Sequence, residues 1–255
     1  MVSIDIVTIT YNSAIHLQRC FESVRKCRAH VNNYIIIDGG SNDGTLDLIK
    51  NNLDIISTFV SEDDTGISDA FNKGVNLCDA DFILLLNSDD WLIDKNFAKV
   101  CTEINLDDEI VFTPIISCIN DLPQDTHFSN PNNMHKKNSV LHPGCFISSF
   151  IYRNLSGYNT HYQIAMDYEF FARCLTQNVN YRQLNTPVVF FQEGGISRQS
   201  KYKILVESFR VRRKYYGAII PYQEFYKCVS RLLGDLLAFL KLKTKVKQIL
   251  DKFIK

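Results

Sequence analysis

Residues 82–86, Phe-Ile-Leu-Leu-Leu, form an unbroken apolar run that stops at Asn87-Ser88-Asp89-Asp90. A strand of this kind has no polar face, so it fits a sheet covered on both sides, as parallel sheets are. Three similar runs precede it: Ile4 to Thr10, Tyr34 to Ile37 and Ile55 to Val60. Between them lie apolar residues at helical period. Ile15, Leu17, Phe21 and Val24 form one such set, Leu46, Ile49 and Leu53 a second, and Ile67, Ala70, Phe71, Val75 and Cys78 a third. Asn12 or Ser13 is a candidate cap for the first helix. Strands alternating with helices at this spacing predict an α/β fold with a mostly parallel sheet flanked by helices.

Each of these strands runs into a polar loop: Thr10-Tyr11-Asn12, Asp38-Gly39-Gly40, Glu62-Asp63-Asp64 and Asn87-Ser88-Asp89-Asp90. Ligands of open α/β sheets bind outside the carboxyl ends of strands, so four such loops on one edge predict a crevice. Gly39, Gly40 and Gly44 require a backbone that turns tightly or approaches a ligand closely. Asp89 and Asp90 suit a hard divalent cation, which takes oxygen ligands and keeps some from a substrate phosphate. Taken alone, the pair also reads as a solvated turn. On the helix after the third strand, Asp69, Asn72 and Lys73 fall together opposite the apolar face.

Further on, Phe97 to Ile104 reads as helix and Ile110 to Ile116 as strand, while Asn120 to Asn138 reads as a long polar loop. His142 opens a β-like run to Tyr152. Met166, Phe170, Phe171, Cys174 and Leu175 make a helical stripe that places Asp167 in a first turn, where the helix dipole favours a carboxylate. Val188 to Phe191 reads as the last strand, followed by the loop Gly194-Gly195-Ile196-Ser197-Arg198.

With 255 residues, 45% of them hydrophobic, the chain can bury a sizeable core, so one domain plus an extension is expected. The net charge of zero hides an asymmetry. Residues 1–200 hold 24 of the 28 acidic residues and half of the 28 basic ones, leaving 14 bases against 4 acids in residues 201–255. Eight cysteines without paired spacing predict reduced, buried thiols rather than a disulfide framework or zinc site, and so a cytoplasmic setting. No leader-like start and no apolar run near the roughly 18 residues of a membrane span is seen. The tail has an apolar stripe, Val229, Leu232, Leu233, Leu236, Leu237 and Leu240, and six lysines between residues 241 and 255. A basic amphipathic helix of this kind, over residues 225–255, suits the anionic inner face of a plasma membrane. Packing on its own domain or on a second subunit, as in a homodimer, is the other reading.

The ordered series Thr10-Tyr11-Asn12, Asp38-Gly39-Gly40-Ser41-Asn42-Asp43-Gly44-Thr45, Asp64-Thr65-Gly66-Ile67-Ser68-Asp69-Ala70-Phe71-Asn72-Lys73-Gly74 and Leu86-Asn87-Ser88-Asp89-Asp90 resembles the nucleotide-sugar half of glycosyltransferase family 2. The Asp167 helix and the loop at Gly194-Gly195 resemble the acceptor half of bacterial members that build surface polysaccharides. The resemblance implies a GT-A fold, Rossmann-like, over residues 1–200, with a nucleotide-sugar half at 1–100, an acceptor half at 101–200 and a helical extension at 201–255. It also implies an inverting transfer from a nucleotide-diphosphate sugar, with UDP favoured, to a hydroxyl of a lipid-linked glycan. Mn²⁺ or Mg²⁺ is the implied cofactor, and nucleic acid is not an expected partner.

The same resemblance assigns Thr10, Tyr11, Asn12, Asp38, Gly39, Asp69, Lys73, Asn87, Ser88 and Asp89 to the nucleotide sugar. It gives the metal to Asp89 and Asp90, and the base that takes the acceptor proton to Asp167. Asn87 stands where many members have a first Asp and brings no charge. His142, Trp91, Glu169, Gly195 and Arg198 are candidates for the acceptor or a phosphate, Glu169 being the alternative base. Two other function classes fit an acid pair on such a sheet. A nucleotidyltransferase would carry a glycine-rich basic loop after the first strand, which Thr10-Tyr11-Asn12-Ser13 is not. A non-catalytic sugar-nucleotide-binding or carbohydrate-binding protein would keep the fold and leave Asp167 idle.

Overall fold

The computed structural model describes residues 2–194 and 201–217. The first strands and helices alternate: β1 (Ile4–Thr10), α1 (Leu17–Cys27), β2 (Tyr34–Asp38), α2 (Thr45–Lys50), β3 (Thr58–Ser61), α3 (Ile67–Asn76) and β4 (Phe82–Asn87). There follow β5 (Trp91–Leu92), α4 (Asp94–Glu103), β6 (Ile110–Phe112), β7 (Ile115–Ile119), β8 (Leu122–His127), β9 (Cys145–Ser148) and α5 (Ser149–Asn154). Last come α6 (Met166–Thr176), β10 (Tyr181–Gln183), β11 (Val189–Gln192) and α7 (Lys201–Tyr216). Residues 1–215 make one compact unit.

The main sheet has seven strands in the order β10-β6-β9-β4-β1-β2-β3, and a second sheet has the order β5-β11-β7-β8. Strands β1 to β4 are mutually parallel, whereas β9 runs antiparallel to both β4 and β6. Register decides where the loops go. Thr10 pairs with Asp38, Asp38 with Ser61, and Ile9 with Asn87, so all four expected strand-end loops leave the same edge.

Strands β1, β2 and β4 are buried on both faces, as their apolar runs require. On one face Ile4, Ile6, Ile36, Leu84 and Leu86 meet Phe21 and Val24 of α1 and Phe97 and Val100 of α4. Each such large side chain removed from water stabilises the fold by roughly 1.5–3 kcal/mol. On the other face α3 comes in closely because it carries Gly74, where an added Cβ would lie 2.3 Å from Val7 Cγ1. At the opposite edge from the loops, buried Asp5 accepts from the N–H groups of Asn33, Asp79 and Ala80 and from Asn32 Nδ2, tying together the starts of β1, β2 and β4.

Several expected elements differ. The run from Ile110 to Ile116 is two strands, because Thr113-Pro114 breaks it and hands the chain from the first sheet to the second. The expected loop at Asn120–Asn138 contains β8, an exposed edge strand whose polar sequence carries no alternation, and a 3-10 turn at Pro131–Asn133. The expected strand from His142 to Tyr152 is a 3-10 turn, then β9, then α5. Strand β3 begins at Thr58, since Ile55 and Ile56 are used in the turn before it. Helix α1 begins at Leu17, with no side-chain cap from Asn12 or Ser13. The seven described cysteines are free and buried, and no described helix is long and apolar enough to cross a membrane.

Candidate active site

The ends of β1 and β2 form a cradle held from within. The buried Asp38 carboxylate accepts from the N–H groups of Gly40 and Ser41 at 3.1 and 3.0 Å and from the hydroxyls of Ser41 and Ser61. Both of its oxygens are therefore engaged in shaping the Gly39-Gly40 turn, where Gly40 sits at φ +79°. Asn12, at φ +48°, donates its N–H to Ser41 Oγ and accepts from Asn42 N–H through Oδ1, so the two loops cross-link. What this cradle leaves free is the exposed ring of Tyr11 and the Thr10 hydroxyl, which is buried without a partner.

The acid pair is asymmetric. Asp90 is fully buried and points inward, accepting from Asn87 Nδ2 at 2.8 Å and from Gln192 N–H at 3.0 Å. Burial first, and then the neighbouring Asp89 charge, hold its carboxyl well above the usual carboxylate range. Asp89 is half-buried; burial raises it too, with His16 and Arg19 pulling the other way. Arg19 braces this turn by donating to the Asp89 carbonyl at 3.2 Å, lying 3.5 Å over the Trp91 ring and pairing with Asp121 at the β7–β8 turn. Trp91 also stacks on Phe190 and walls a cleft of roughly 280 Å³ with Arg19, Glu22 and Lys26. Ser88 Oγ bonds to Ser13 Oγ at 2.9 Å, joining this loop to that of β1.

On α3, Lys73 pairs with Glu62 at 2.8 Å and Asp69 at 3.5 Å and donates to the Asp63 carbonyl. Asp69 accepts from Thr65 N–H, the main cause of its lowered pKa. These contacts close the β3–α3 loop on itself. Asn72 faces elsewhere, with its amide making two 2.8 Å bonds to the Tyr158 backbone.

Asp167 lies in the first turn of α6, half-buried at the surface. Its Oδ1 accepts from Tyr168 N–H at 2.7 Å and its Oδ2 from Asn138 Nδ2 at 2.9 Å, while burial raises its pKa. Helix α6 opens beside the start of α3, because Ser68 Oγ donates to the Tyr162 carbonyl at 2.7 Å. The base candidate thus stands at the same sheet edge as the strand-end loops. Glu169 does not share that freedom: it is buried and paired with Arg173, Lys214 and Tyr215 Oη. His142 is buried edge-on to Phe71, its Nε2 without a partner, and burial lowers its pKa to about 4. Gly195 and Arg198 lie outside the described residues.

Sequence reasoning missed Arg19, Ser41, Asp43, Asn138 and Gln192. Asp43 alone carried a signal, since Asp two residues before a helix-starting Thr is an Asx-type turn; it accepts from the Thr45 and Ala14 N–H groups. The others act across 29 to 102 positions of chain. Among the described residues no group of three or more His, Cys, Asp or Glu is placed to hold a metal ion.

Comparison with known proteins agrees with this fold. The PGL/p-HBAD biosynthesis glycosyltransferase of Mycobacterium bovis (strain BCG / Pasteur 1173P2) is 26% identical over 201 residues, covering 76% of this chain and 78% of the relative. S. aureus TarS 1-349, solved in complex with UDP-GlcNAc, superposes with a TM-score of 0.68 at 16% identity, covering 84% of this chain and 65% of that one. The mannosyltransferase PcManGT from Pyrobaculum calidifontis, in complex with GDP-Man and Mn²⁺, superposes with a TM-score of 0.62 at 14% identity, covering 82% and 63%. The chain thus spans a little under two thirds of these solved proteins, which share its GT-A fold. Residues 5–175 match the family described as Glycosyl transferase family 2. With more than half of its length so matched, the chain belongs to glycosyl transferase family 2 and is a glycosyltransferase.

Proposed function

We propose that the protein is an inverting, metal-dependent enzyme that moves one sugar from a nucleotide-diphosphate donor, UDP-linked by preference, to a hydroxyl of a lipid-linked oligosaccharide or polysaccharide precursor. The observation that carries this reading is the shared edge: β1, β2, β3 and β4 all end there, Asp89 stands among their loops, and α6 opens there with Asp167. The nucleotide lies against Tyr11 and the Gly39-Gly40 turn, whose shape Asp38 maintains from beneath, above the buried and unpartnered Thr10 hydroxyl.

The donor set fits a hard cation that draws most of its oxygens from the donor. Asp89 offers a half-buried carboxylate at a strand end, and Asp90 supports the turn from the inside. A bound Mn²⁺ or Mg²⁺ supplies neutralisation of the charge that grows on the leaving diphosphate. PcManGT holds Mn²⁺ with its GDP-Man, and TarS takes a UDP-sugar, which supports both parts of the assignment. Asp167 takes the proton of the acceptor hydroxyl as its oxygen bonds to the anomeric carbon from the face opposite the leaving group. The bond to the diphosphate breaks through a transition state of oxocarbenium character, and the nucleoside diphosphate leaves. The basic tail, residues 225–255, outside the described residues, holds the enzyme at an anionic membrane surface where such acceptors reside.

A screen of UDP- and GDP-sugars for Mn²⁺-dependent binding and hydrolysis tests the reading. Asp167→Asn is expected to lose at least about a hundredfold in turnover with nucleotide affinity kept, and Asp89→Ala to lose the metal dependence of nucleotide binding. Equal turnover in Asp167→Asn would remove the base assignment.

A further inference from the structure

We infer that Asn138 is a positioning residue of the transfer reaction, holding the Asp167 carboxylate in a fixed plane from a loop that the rest of the fold locks in place. The inference rests on Asp167 being the base. A carboxylate has about four acceptor positions, so one donor on each oxygen, Asn138 Nδ2 on Oδ2 and Tyr168 N–H on Oδ1, fixes its plane and still leaves a lone pair for an acceptor hydroxyl.

An amide on an exposed loop orients its partner only if the loop itself is held. The base of this loop is closed by Asn130 N–H donating to the Ser139 carbonyl at 2.7 Å and by Ser139 Oγ donating back to the Asn130 carbonyl at 2.7 Å. Met134, within the loop, is buried, and its carbonyl accepts from Tyr168 Oη. The Lys136 carbonyl accepts from Arg212 of α7 at 3.0 Å. A ring of contacts results: Tyr168, the residue after Asp167, holds the loop, and the loop returns Asn138 to Asp167. Hydrogen bonding to the charged form also opposes the burial that raises the Asp167 carboxyl.

The test uses the full chain, with Asn138→Ala and Asn138→Asp. Asn138 is exposed, so both variants are expected to fold as wild type does. Hydrolysis of the UDP- or GDP-sugar that wild type turns over fastest is followed against pH, and the Asp167 carboxyl is titrated by ¹³C NMR. Asn138→Ala is expected to lower kcat about tenfold with the donor KM unchanged, as misplacement of a reacting group does. It also moves the acidic limb of the profile, and the NMR titration, to higher pH. Asn138→Asp moves both further, because it replaces a donor by a like charge. Wild-type profiles and titrations in both variants would overturn the inference. If Asp167→Asn is inactive at the same time, only the Asn138 assignment falls; if Asp167→Asn turns over as wild type does, the base reading falls and takes Asn138 with it.

Discussion

His142 shows how much one side chain's surroundings change its chemistry. Its ordinary pKa lies near 6.5, but burial against Phe71 lowers it to about 4, so the folded protein holds it neutral. Below the ordinary value the unfolded chain takes up a proton that the folded one refuses. Stability is therefore complete above about pH 6.5 and is lost as the pH falls towards 4, by up to roughly 3 kcal/mol. In chemical denaturation, His142→Phe is expected to lack this loss, so wild type weakens relative to the variant between pH 7 and 4.5. A constant difference across that range would show that His142 is not the titrating group. Its partnerless Nε2 means that Phe costs no hydrogen bond there. Arg19 of α1 shows the opposite case, a basic residue outside the helix's apolar stripe whose guanidinium joins the Asp89 turn, Trp91 and Asp121.

At the scale of elements, α6 depends on a partner from far along the chain. Its N-cap position, Ala165, has no side chain to accept from the free N–H groups of the first turn. The buried Glu207 of α7 instead holds the segment that leads into the helix, accepting from the N–H groups of Gln163, Ile164 and Ala165 at 3.2, 2.9 and 2.9 Å. Since Asp167 stands two residues beyond Ala165, this anchor sets where the helix of the base candidate begins. Glu207→Ala is expected to cost about 1–3 kcal/mol, because the buried Ala165 N–H loses its acceptor together with the less buried N–H groups of Gln163 and Ile164. Thermal unfolding measures that cost. Donor turnover should fall with it, whereas a substitution at exposed Arg213 should leave both unchanged. Loss of stability without loss of turnover would mean that the start of α6 is held by its own packing.

For the whole molecule, the two edges of the main sheet divide the work. Asp5 fastens the amino ends of β1, β2 and β4 at one edge, while the opposite edge carries the loops, Asp89 and the opening of α6. Helix α7 up to Tyr215 belongs to the same compact unit, and the basic stretch proposed to meet a membrane, residues 225–255, lies outside the described residues. Co-sedimentation with anionic vesicles checks this: a chain ending near Tyr216 should stay in the supernatant while the full chain pellets, and the difference should shrink with added salt. Equal pelleting would place the membrane contact on residues 1–216.

Much of this was legible without coordinates, because it depends on local pattern. The apolar runs of β1, β2 and β4, the helical stripes between them and the polar residues at each strand end dictate a mostly parallel sheet whose strand-end loops share one edge, and the motif order identifies the family. Short strands without alternation, such as β8 and β10, were not legible, since nothing in them but a neighbouring strand makes them extended. The division of labour at the site also lay beyond sequence. Asp89 and Asp90 are adjacent and chemically identical, and only the folded chain turns Asp90 inward to Asn87 and Gln192 and leaves Asp89 at the surface. Likewise only tertiary packing brings Asn138 and Glu207 to the helix of Asp167. Hydrophobic period is a property of neighbours in the chain, whereas a carboxylate's partners and protonation are set by whatever distant groups the fold places around it.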